Sequence, residues 1–321
     1  MPRTAIVLFN LGGPDSLAAV RPFLFNLFSD KAIIRLPTPL RQMIAWIIAK
    51  RRDVVAQEIY ERMGGSSPLL KETKAQAAAL EQALGGDTKA FIAMRYWHPM
   101  TREAVAQVKD WRPERIVLLP LYPQFSTTTT ASSVAAWKKE AARAGLVAKS
   151  AEIVEYPELL GMIAAQAQMI DAALAQAGEG ARVLFSAHGL PKRIVTRGDR
   201  YPDQVMLTAR AIAKLLAESY GRRDQDWRVC YQSRVGPVEW IGPYTDDEIR
   251  RAGAEKKPLV VVPIAFVSEH SETLVELDMD YKKVANDAGV PTYIRVPALG
   301  THPAFIAGLA ELVKDAFPYG N

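Results

Sequence analysis

The chain has 321 residues, of which 49% are hydrophobic and 23% charged, a composition typical of a globular protein long enough for two domains. Its single cysteine, Cys230, excludes a disulfide framework and a four-cysteine cluster within one chain. A net charge of +5 without concentrated basicity argues against nucleic-acid binding, and no apolar run approaches the roughly 20 residues that cross a bilayer.

The chain opens on a strand-like run at residues 5–9, which is too short for the apolar segment of a secretion signal. Together with the single cysteine, this start predicts a cytoplasmic protein.

Eight short β-rich runs alternate with longer helical patterns, and this alternation predicts βαβ units with parallel sheets. Two of the runs resemble each other, and each is followed by a turn containing serine or threonine and then a helix. We therefore predict two similar halves that join near residues 156–180, with a last helix packing back across the body. The runs lie at about 4–10, 88–95, 115–121, 148–155, 181–187, 227–233, 258–265 and 291–297.

The first half carries an insertion at about residues 11–87, which we call the apolar lip. It is nearly twice as long as the corresponding segment 188–226 and contains two apolar runs, at 22–28 and 43–48. Two interpretations stay open: a helical pair that buries its own faces, or an apolar cover over a large flat ligand or against a membrane. The basic residues 50–52 that follow fit either a helix end or a surface for an anionic lipid or ligand.

A buried strand is predicted to deliver His188 to the edge of the second sheet. The apolar run 183–185 passes into Ser186, Ala187 and His188, and a glycine follows at position 189. Because ligands of open α/β sheets bind outside the carboxyl ends of strands, His188 is a candidate for chemistry.

An acidic segment follows the strand at 258–265. It contains Glu269, and then Glu272, Glu276 and Asp280 at four-residue spacing, which is one stripe on an α-helix and a closer alignment on a π-turn. A flavodoxin-like strand order 2-1-3-4 would bring this segment beside His188. Histidine with carboxylates suits a loosely held first-row metal or a proton acceptor, whereas the alternative is a solvated acidic face.

The ordered set of segments resembles the ferrochelatases, which insert ferrous iron into a porphyrin. The resemblance covers nearly the whole chain, and no single segment would suffice. The segments are NLGGP at 10–14, the apolar lip, KRR at 50–52, GGSSP at 64–68, RYWHP at 95–99, YPQFS at 122–126, SAHGLP at 186–191 with its continuation to 198–201, QSRVGP at 232–237, and 268–281.

This resemblance implies two Rossmann-like (flavodoxin-like) halves of a chelatase-type α/β fold, at 1–155 and 156–321, each a four-stranded parallel sheet flanked by helices, which enclose a porphyrin cleft. It assigns His188 and Glu272 to the metal and to proton transfer, and it continues an acidic path through Glu276, Asp280 and Glu269. The positions it assigns to porphyrin binding are Leu11, Arg52, Tyr60, Ser67, Arg95, Tyr96, Tyr122 and Trp240.

The departures from the family pattern refine these expectations. Four cysteines and a C-terminal extension carry a [2Fe–2S] cluster in some members, so we expect no cluster here and a monomer. The coproporphyrin-using branch typically has a tyrosine at the position of Leu11, so we expect protoporphyrin IX and Fe²⁺ as substrates, with no further cofactor. That poorly soluble porphyrin would arrive from the inner membrane face, where a peripheral contact is expected.

Two rival functions remain open on the sequence alone. One is a related chelatase that acts on coproporphyrin or on a more carboxylated tetrapyrrole. The other is a non-catalytic haem or metal carrier, because a fold does not fix a function. A periplasmic binding protein shares the two-domain architecture, but the expected lack of a signal peptide argues against it.

Overall fold

A computed structural model describes residues 2–317 of the chain. The described residues divide into two compact units, one formed by residues 2–155 together with 309–317, the other by Tyr156–Gly308. The sequence predicts that residues 309–317 belong to the second half, whereas they cluster with the first unit.

The first unit is built on a four-stranded parallel sheet. Its strands are β1 (Thr4–Asn10), β2 (Thr88–Met94), β3 (Arg115–Pro120) and β4 (Lys149–Glu152). Its helices are α1 (Val20–Phe28), α2 (Thr38–Glu61), α3 (Leu69–Leu84), α4 (Thr101–Trp111) and α5 (Thr130–Ala144). The strand order is β2-β1-β3-β4. The central strand β1 is buried on both faces, with Val7 and Phe9 fully inaccessible, as expected when helices cover both sides of a parallel sheet. Phe9 meets Trp137 of α5 edge to face, at 6.2 Å between ring centroids.

The second unit repeats this four-stranded parallel sheet. Its strands are β5 (Arg182–His188), β6 (Trp227–Gln232), β7 (Leu259–Pro263) and β8 (Tyr293–Arg295). The strand order is β6-β5-β7-β8, again with all neighbours parallel, so the predicted order 2-1-3-4 is confirmed in both sheets. The helices are α6 (Leu160–Ala177), α7 (Lys192–Val195), α8 (Tyr201–Ser219), α9 (Thr245–Ala254), a π-helix (Glu272–Tyr281) and α10 (Lys282–Asp287), while α11 (Pro303–Asp315) has residues in both units.

The strand register of the second sheet determines which side chains share its carboxyl edge. His188, the last residue of β5, pairs with Gln232, the last residue of β6. On the other side Ser186 pairs with Pro263, the last residue of β7, after which the chain enters the turn that leads to the π-helix. The ends of three strands therefore converge next to His188.

The apolar lip of the first unit is partly buried and partly exposed. Val20, Phe23 and Leu24 of α1 pack with Ala49 and Tyr60 of α2, so the insertion does bury faces of its own. The remaining face of α2 carries large apolar side chains that are at least 42% exposed, namely Leu40, Met43, Trp46, Val54 and Val55. Among residues 2–317 no helix has the length and apolar character needed to span a bilayer.

Candidate active site

The His188 imidazole and the Glu272 carboxylate meet at the carboxyl edge of the second sheet. Nδ1 of His188 lies 2.8 Å from Oε2 of Glu272, although the two residues are 84 positions apart. The side chains are 36% and 24% exposed, so each is accessible to a ligand while the bond between them is partly shielded. Since β5 ends at His188 and the π-helix begins at Glu272, the two backbone elements fix this contact.

A second carboxylate, Glu276, lies one π-helical turn further along. Its Oε1 accepts hydrogen bonds from the backbone N–H of Ser233 at 2.9 Å and from the Tyr281 hydroxyl at 3.1 Å. Its Oε2 accepts from the Gln232 amide at 3.0 Å and from the Ser233 hydroxyl. That hydroxyl also lies 3.3 Å from Oε2 of Glu272, so Ser233 bridges the two carboxylates.

The environments of His188, Glu272 and Glu276 shift the pKa values of these three groups in different directions. Burial alone would raise the pKa of Glu272, but the adjacent His188 outweighs it and lowers the pKa to about 2. Burial likewise would lower the pKa of His188, yet the Glu272 carboxylate raises it above 6.5. Burial and then the neighbouring Glu272 charge raise the pKa of Glu276 above 4.5. Near neutral pH the cluster thus pairs an ionised carboxylate with an imidazole that can gain or lose a proton.

The hydrogen bond to Glu272 determines how His188 can react. An ionised carboxylate only accepts, so Nδ1 of His188 carries the proton of that bond. In the neutral imidazole Nε2 is then the nitrogen with a free lone pair, which can take a proton or ligate a metal. Among residues 2–317 no group of three or more histidine, cysteine or acidic side chains forms a closed metal cage. An imidazole nitrogen and a carboxylate oxygen are ligand types that first-row divalent metals accept.

The Trp240 indole packs against the His188 imidazole. The two rings meet edge to face at 6.2 Å, and the indole Nε1 donates to the Val235 carbonyl at 3.2 Å. Gly189 makes this approach feasible, because a Cβ at position 189 would lie 3.2 Å from the indole. The indole therefore restricts the orientation of the imidazole.

The remaining acidic residues of the predicted path lie in other surroundings. Glu269 accepts from Arg295 Nη1 at 2.6 Å and from the backbone N–H of Ala298 at 2.9 Å, so these bonds hold it to the β8 region. Burial would raise the pKa of Glu269, but its hydrogen bonds and Arg295 lower it. Asp280 is exposed near the end of the π-helix. The bonds described for His188 thus join it to Glu272 and, through Ser233, to Glu276.

In the first unit, Arg95 and Tyr96 follow β2 and converge on the carboxylate of Asp30. Arg95 Nη2 and the Tyr96 hydroxyl each lie 2.8 Å from Asp30 Oδ2. Ser132 of α5 donates to the same oxygen at 2.5 Å and accepts from Arg95 Nε at 2.8 Å. Tyr122 follows β3, and burial raises the pKa of its phenol.

The other predicted porphyrin positions of the first unit lie on or beside the apolar lip. Leu11 packs against the apolar cluster that contains Tyr60, and its carbonyl accepts from the backbone N–H of Tyr96. Ser67 donates its backbone N–H to the Pro14 carbonyl, and its hydroxyl accepts from the backbone of Leu69. Arg52 lies 5.9 Å from the Phe28 ring, and burial lowers the pKa of its guanidinium.

Sequence reasoning missed the partners that hold the named residues. In the second unit they are Ser233 and Tyr281; in the first they are Asp30 and Ser132. Ser233 directly follows β6 and so stands at the same sheet edge as His188, which was a usable signal. Asp30 and Ser132 are 102 positions apart, and no local pattern connects them.

Comparisons with known proteins agree with the resemblance of the sequence. Residues 3–317 match the family model described as Ferrochelatase. The Ferrochelatase of Caulobacter vibrioides (strain NA1000 / CB15N) is 53% identical over 98% of this chain and 90% of that protein. The Ferrochelatase of Wolbachia sp. subsp. Drosophila simulans (strain wRi) is 48% identical over 97% of this chain and 98% of that protein.

A solved structure, SirB from Bacillus subtilis with Fe3+, has a TM-score of 0.57 at 13% identity and covers 98% of this chain and 95% of that chain. At that identity the likeness concerns the fold alone, and it agrees with the two four-stranded parallel sheets. With matches at about half identity over nearly the whole sequence, the chain belongs to the ferrochelatase family, the enzymes that insert iron into a porphyrin in haem synthesis.

Proposed function

We propose that this chain inserts ferrous iron into protoporphyrin IX with release of two protons, and that His188 and Glu272 are the residues at which metal and protons are exchanged. The observation that carries the proposal is the 2.8 Å contact between His188 Nδ1 and Glu272 Oε2 at the carboxyl edge of the second sheet. A free-base porphyrin must lose both pyrrole protons before it can hold Fe²⁺, so an acceptor with a pKa near neutrality is the group the reaction needs.

The chemistry follows from the lone pair at Nε2 of His188. When Nε2 takes a pyrrole proton, the resulting imidazolium is stabilised by the ionised Glu272 that already binds Nδ1. Glu276, whose pKa is raised, is linked to Glu272 through the Ser233 hydroxyl, which adds a second acidic group to the site. Because Nε2 takes the first proton, Nε2 must also lose it before the second deprotonation, and the 36% exposure of the His188 side chain lets that proton pass to solvent while Glu272 keeps the proton on Nδ1.

Arg95, whose side chain is 24% exposed, is the proposed porphyrin contact after β2, and Tyr96, which is 1% exposed, is proposed to act by holding Asp30. Tyr122 and Trp240 are the further positions proposed for porphyrin binding. Protoporphyrin IX has two carboxylates and an otherwise apolar rim, which suits Leu11 and the apolar cluster around it. Coproporphyrin carries more carboxylates and would leave some of them against apolar side chains without partners.

The direct test is anaerobic turnover of Fe²⁺ followed by absorbance, with protoporphyrin, coproporphyrin and sirohydrochlorin compared. We expect the highest kcat/KM with protoporphyrin, and almost no turnover in His188→Ala. Preference for coproporphyrin or sirohydrochlorin would assign the chain to the related chelatases. Porphyrin binding without turnover in the wild type would make it a carrier. Turnover by protein free of bound iron and sulfide would support the expectation that no [2Fe–2S] cluster is needed.

We also propose a cytoplasmic location with peripheral contact between the exposed face of α2 and an anionic membrane surface. Trp46 is 50% exposed, and Met43 on the same helix is 53% exposed. Lys50 lies over the Trp46 ring at 5.3 Å, and Arg21 lies at 5.9 Å. Exposed apolar side chains beside cations are the combination that binds the interface of anionic lipids.

Vesicle sedimentation tests this contact, with phosphatidylglycerol vesicles compared with neutral phosphatidylcholine. Trp46→Ala should weaken binding to the anionic vesicles severalfold, whereas Leu160→Ala, which removes an 81% exposed leucine from the second unit, should not. Equal loss in both variants, or no binding by the wild type, would contradict the proposal. Analytical ultracentrifugation at several concentrations tests the expected monomer.

A further inference from the structure

We propose that Asp30 is a positioning residue that orients Arg95 toward the porphyrin, with the buried Tyr96 hydroxyl holding the same carboxylate in place, an inference that rests on the proposed function. Asp30 lies just after α1, whereas Arg95 and Tyr96 follow β2. Its carboxylate therefore ties the apolar lip to the carboxyl edge of the first sheet.

The contacts of Asp30 leave its carboxylate almost no freedom to move. Oδ2 accepts from Arg95, Tyr96 and Ser132, and Oδ1 accepts from the backbone N–H of Ala32 at 2.9 Å. The side chain is 7% exposed, so water supplies little competition for these four donors. Charge-assisted bonds of this kind are short and strongly directional.

The same contacts determine which part of Arg95 remains available to a ligand, whereas Tyr96 is only 1% exposed. Nε and Nη2 of Arg95 are used by Ser132 and Asp30, while the guanidinium lies 5.1 Å from the centre of the Tyr96 ring. The Arg95 side chain is still 24% exposed. Because two of its nitrogens are held, the Arg95 guanidinium presents its remaining N–H groups in a defined direction, whereas an arginine without such bonds would not.

The charge balance makes Asp30 more than a packing residue. The ionised carboxylate compensates the Arg95 guanidinium, and burial of Asp30 is outweighed by Arg95 and by its hydrogen bonds, so its pKa stays below 3.8. An asparagine in its place would keep the shape, and its oxygen could occupy the position of Oδ2, but its N–H₂ group would then face the backbone N–H of Ala32. The negative charge that compensates Arg95 would also be lost, so the bonds that hold Arg95 and Tyr96 would weaken.

The expected effect is therefore on porphyrin binding rather than on proton transfer. All residues of the Asp30 network belong to the first unit, whereas His188 and Glu272 belong to the second. In Asp30→Asn we expect KM for the porphyrin to rise about tenfold with kcat for Fe²⁺ insertion within about twofold of wild type, since bonds to charged groups contribute on that scale. Asp30→Glu, which keeps the charge, should restore part of the loss.

The matched control is Asp226→Asn in the second unit. Asp226 also compensates buried cations, accepting from Arg182 Nε at 2.9 Å and pairing with Lys257 at 2.5 Å, and these residues lie at the amino ends of their strands. The Asp226→Asn variant should have a lower thermal stability than wild type and an unchanged KM for the porphyrin. If Asp30→Asn is too unstable to purify, Ser132→Ala removes one donor while retaining the ion pair, and a rise in KM of about threefold is expected.

Three outcomes would overturn the inference. The first is an unchanged KM for the porphyrin in both Asp30→Asn and Ser132→Ala. The second is a decrease only in the fraction of enzyme that is active, and the third is an equal rise of KM in Asp226→Asn. Wild-type turnover is measured in the same series. Its absence would defeat the proposed function, whereas the ratio of variant to wild-type KM tests the role of Asp30 with whichever porphyrin the wild type uses.

Discussion

Replacing Glu272 with glutamine isolates the charge of the His188 partner. The amide oxygen of glutamine can still accept the bond from His188 Nδ1, so the imidazole keeps its tautomer and loses only the neighbouring negative charge. The drop in the pKa of Glu272 from 4.5 to about 2 corresponds to about 3 kcal/mol in favour of the ionised form. Because the His188 side chain is 36% exposed, solvent screening reduces the interaction free energy between His188 and Glu272 to about 1–2 kcal/mol.

The sign of the pH effect follows from this coupling. In the wild type Glu272 raises the pKa of His188 above 6.5, and we expect activity to fall when low pH protonates this proposed base. In Glu272→Gln the pKa of His188 falls, so the acidic limb of kcat/KM should move to lower pH by about one unit. The plateau of kcat should fall by about 5–30-fold, the factor that corresponds to a loss of about 1–2 kcal/mol.

The assay is anaerobic Fe²⁺ insertion measured across the pH range, with Asp278→Asn as the control. Asp278 lies on the same π-helix and pairs with Arg295 at 2.5 Å, so its replacement removes an ion pair of that helix without touching His188. An acidic limb that stays in place in Glu272→Gln, or an Asp278→Asn enzyme with the same loss of kcat, would refute the role assigned to Glu272.

Three further predictions concern single groups. Ser233→Ala removes a donor that lowers the pKa of Glu276, so that pKa should rise further above 4.5, and carboxylate NMR titration would contradict this if it found no change. Gly253→Ala would bring a Cβ within 2.3 Å of the Ala288 carbonyl oxygen and should lower the free energy of unfolding by about 1–3 kcal/mol in urea titrations; wild-type stability would refute the clash. Asp30→Asn breaks a buried ion pair and should cost about 3–5 kcal/mol at neutral pH. The pKa of Asp30 is lowered below 3.8 in the folded protein, so its contribution to the free energy of unfolding is complete well above that value and is lost as the pH falls through the folded pKa. On acidification from about pH 5 to pH 3 the wild type should therefore lose more stability than Asp30→Asn, which lacks this carboxylate.

The strand order of both sheets and the position of His188 at the end of a strand could be predicted from the sequence alone. Continuous apolar runs such as residues 183–185 can be satisfied only between two layers of helices, and the two sheets have the order predicted from that pattern. Four-residue spacing identified Glu272 and Glu276 as one stripe, and the π-helix aligns both toward Ser233. The edge strands were harder to delimit: β8 covers Tyr293–Arg295 rather than 291–297, because an edge strand pairs on one side only.

What local pattern could not determine is which carboxylates lie beside which cations. Glu269 and Glu272 are three residues apart, yet one pairs with Arg295 and the other with His188, because the turn after β7 directs them to different neighbours. Asp30 accepts hydrogen bonds from Arg95, Tyr96 and Ser132, which lie in two other parts of the first unit.

Periodicity and composition thus determined the layers of the fold and the strand that carries the His188 imidazole, since burial acts on every residue of an apolar run. Only the tertiary structure decided the partners of each charge, because hydrogen bonds require atoms within about 3 Å, and chain separation does not encode that distance.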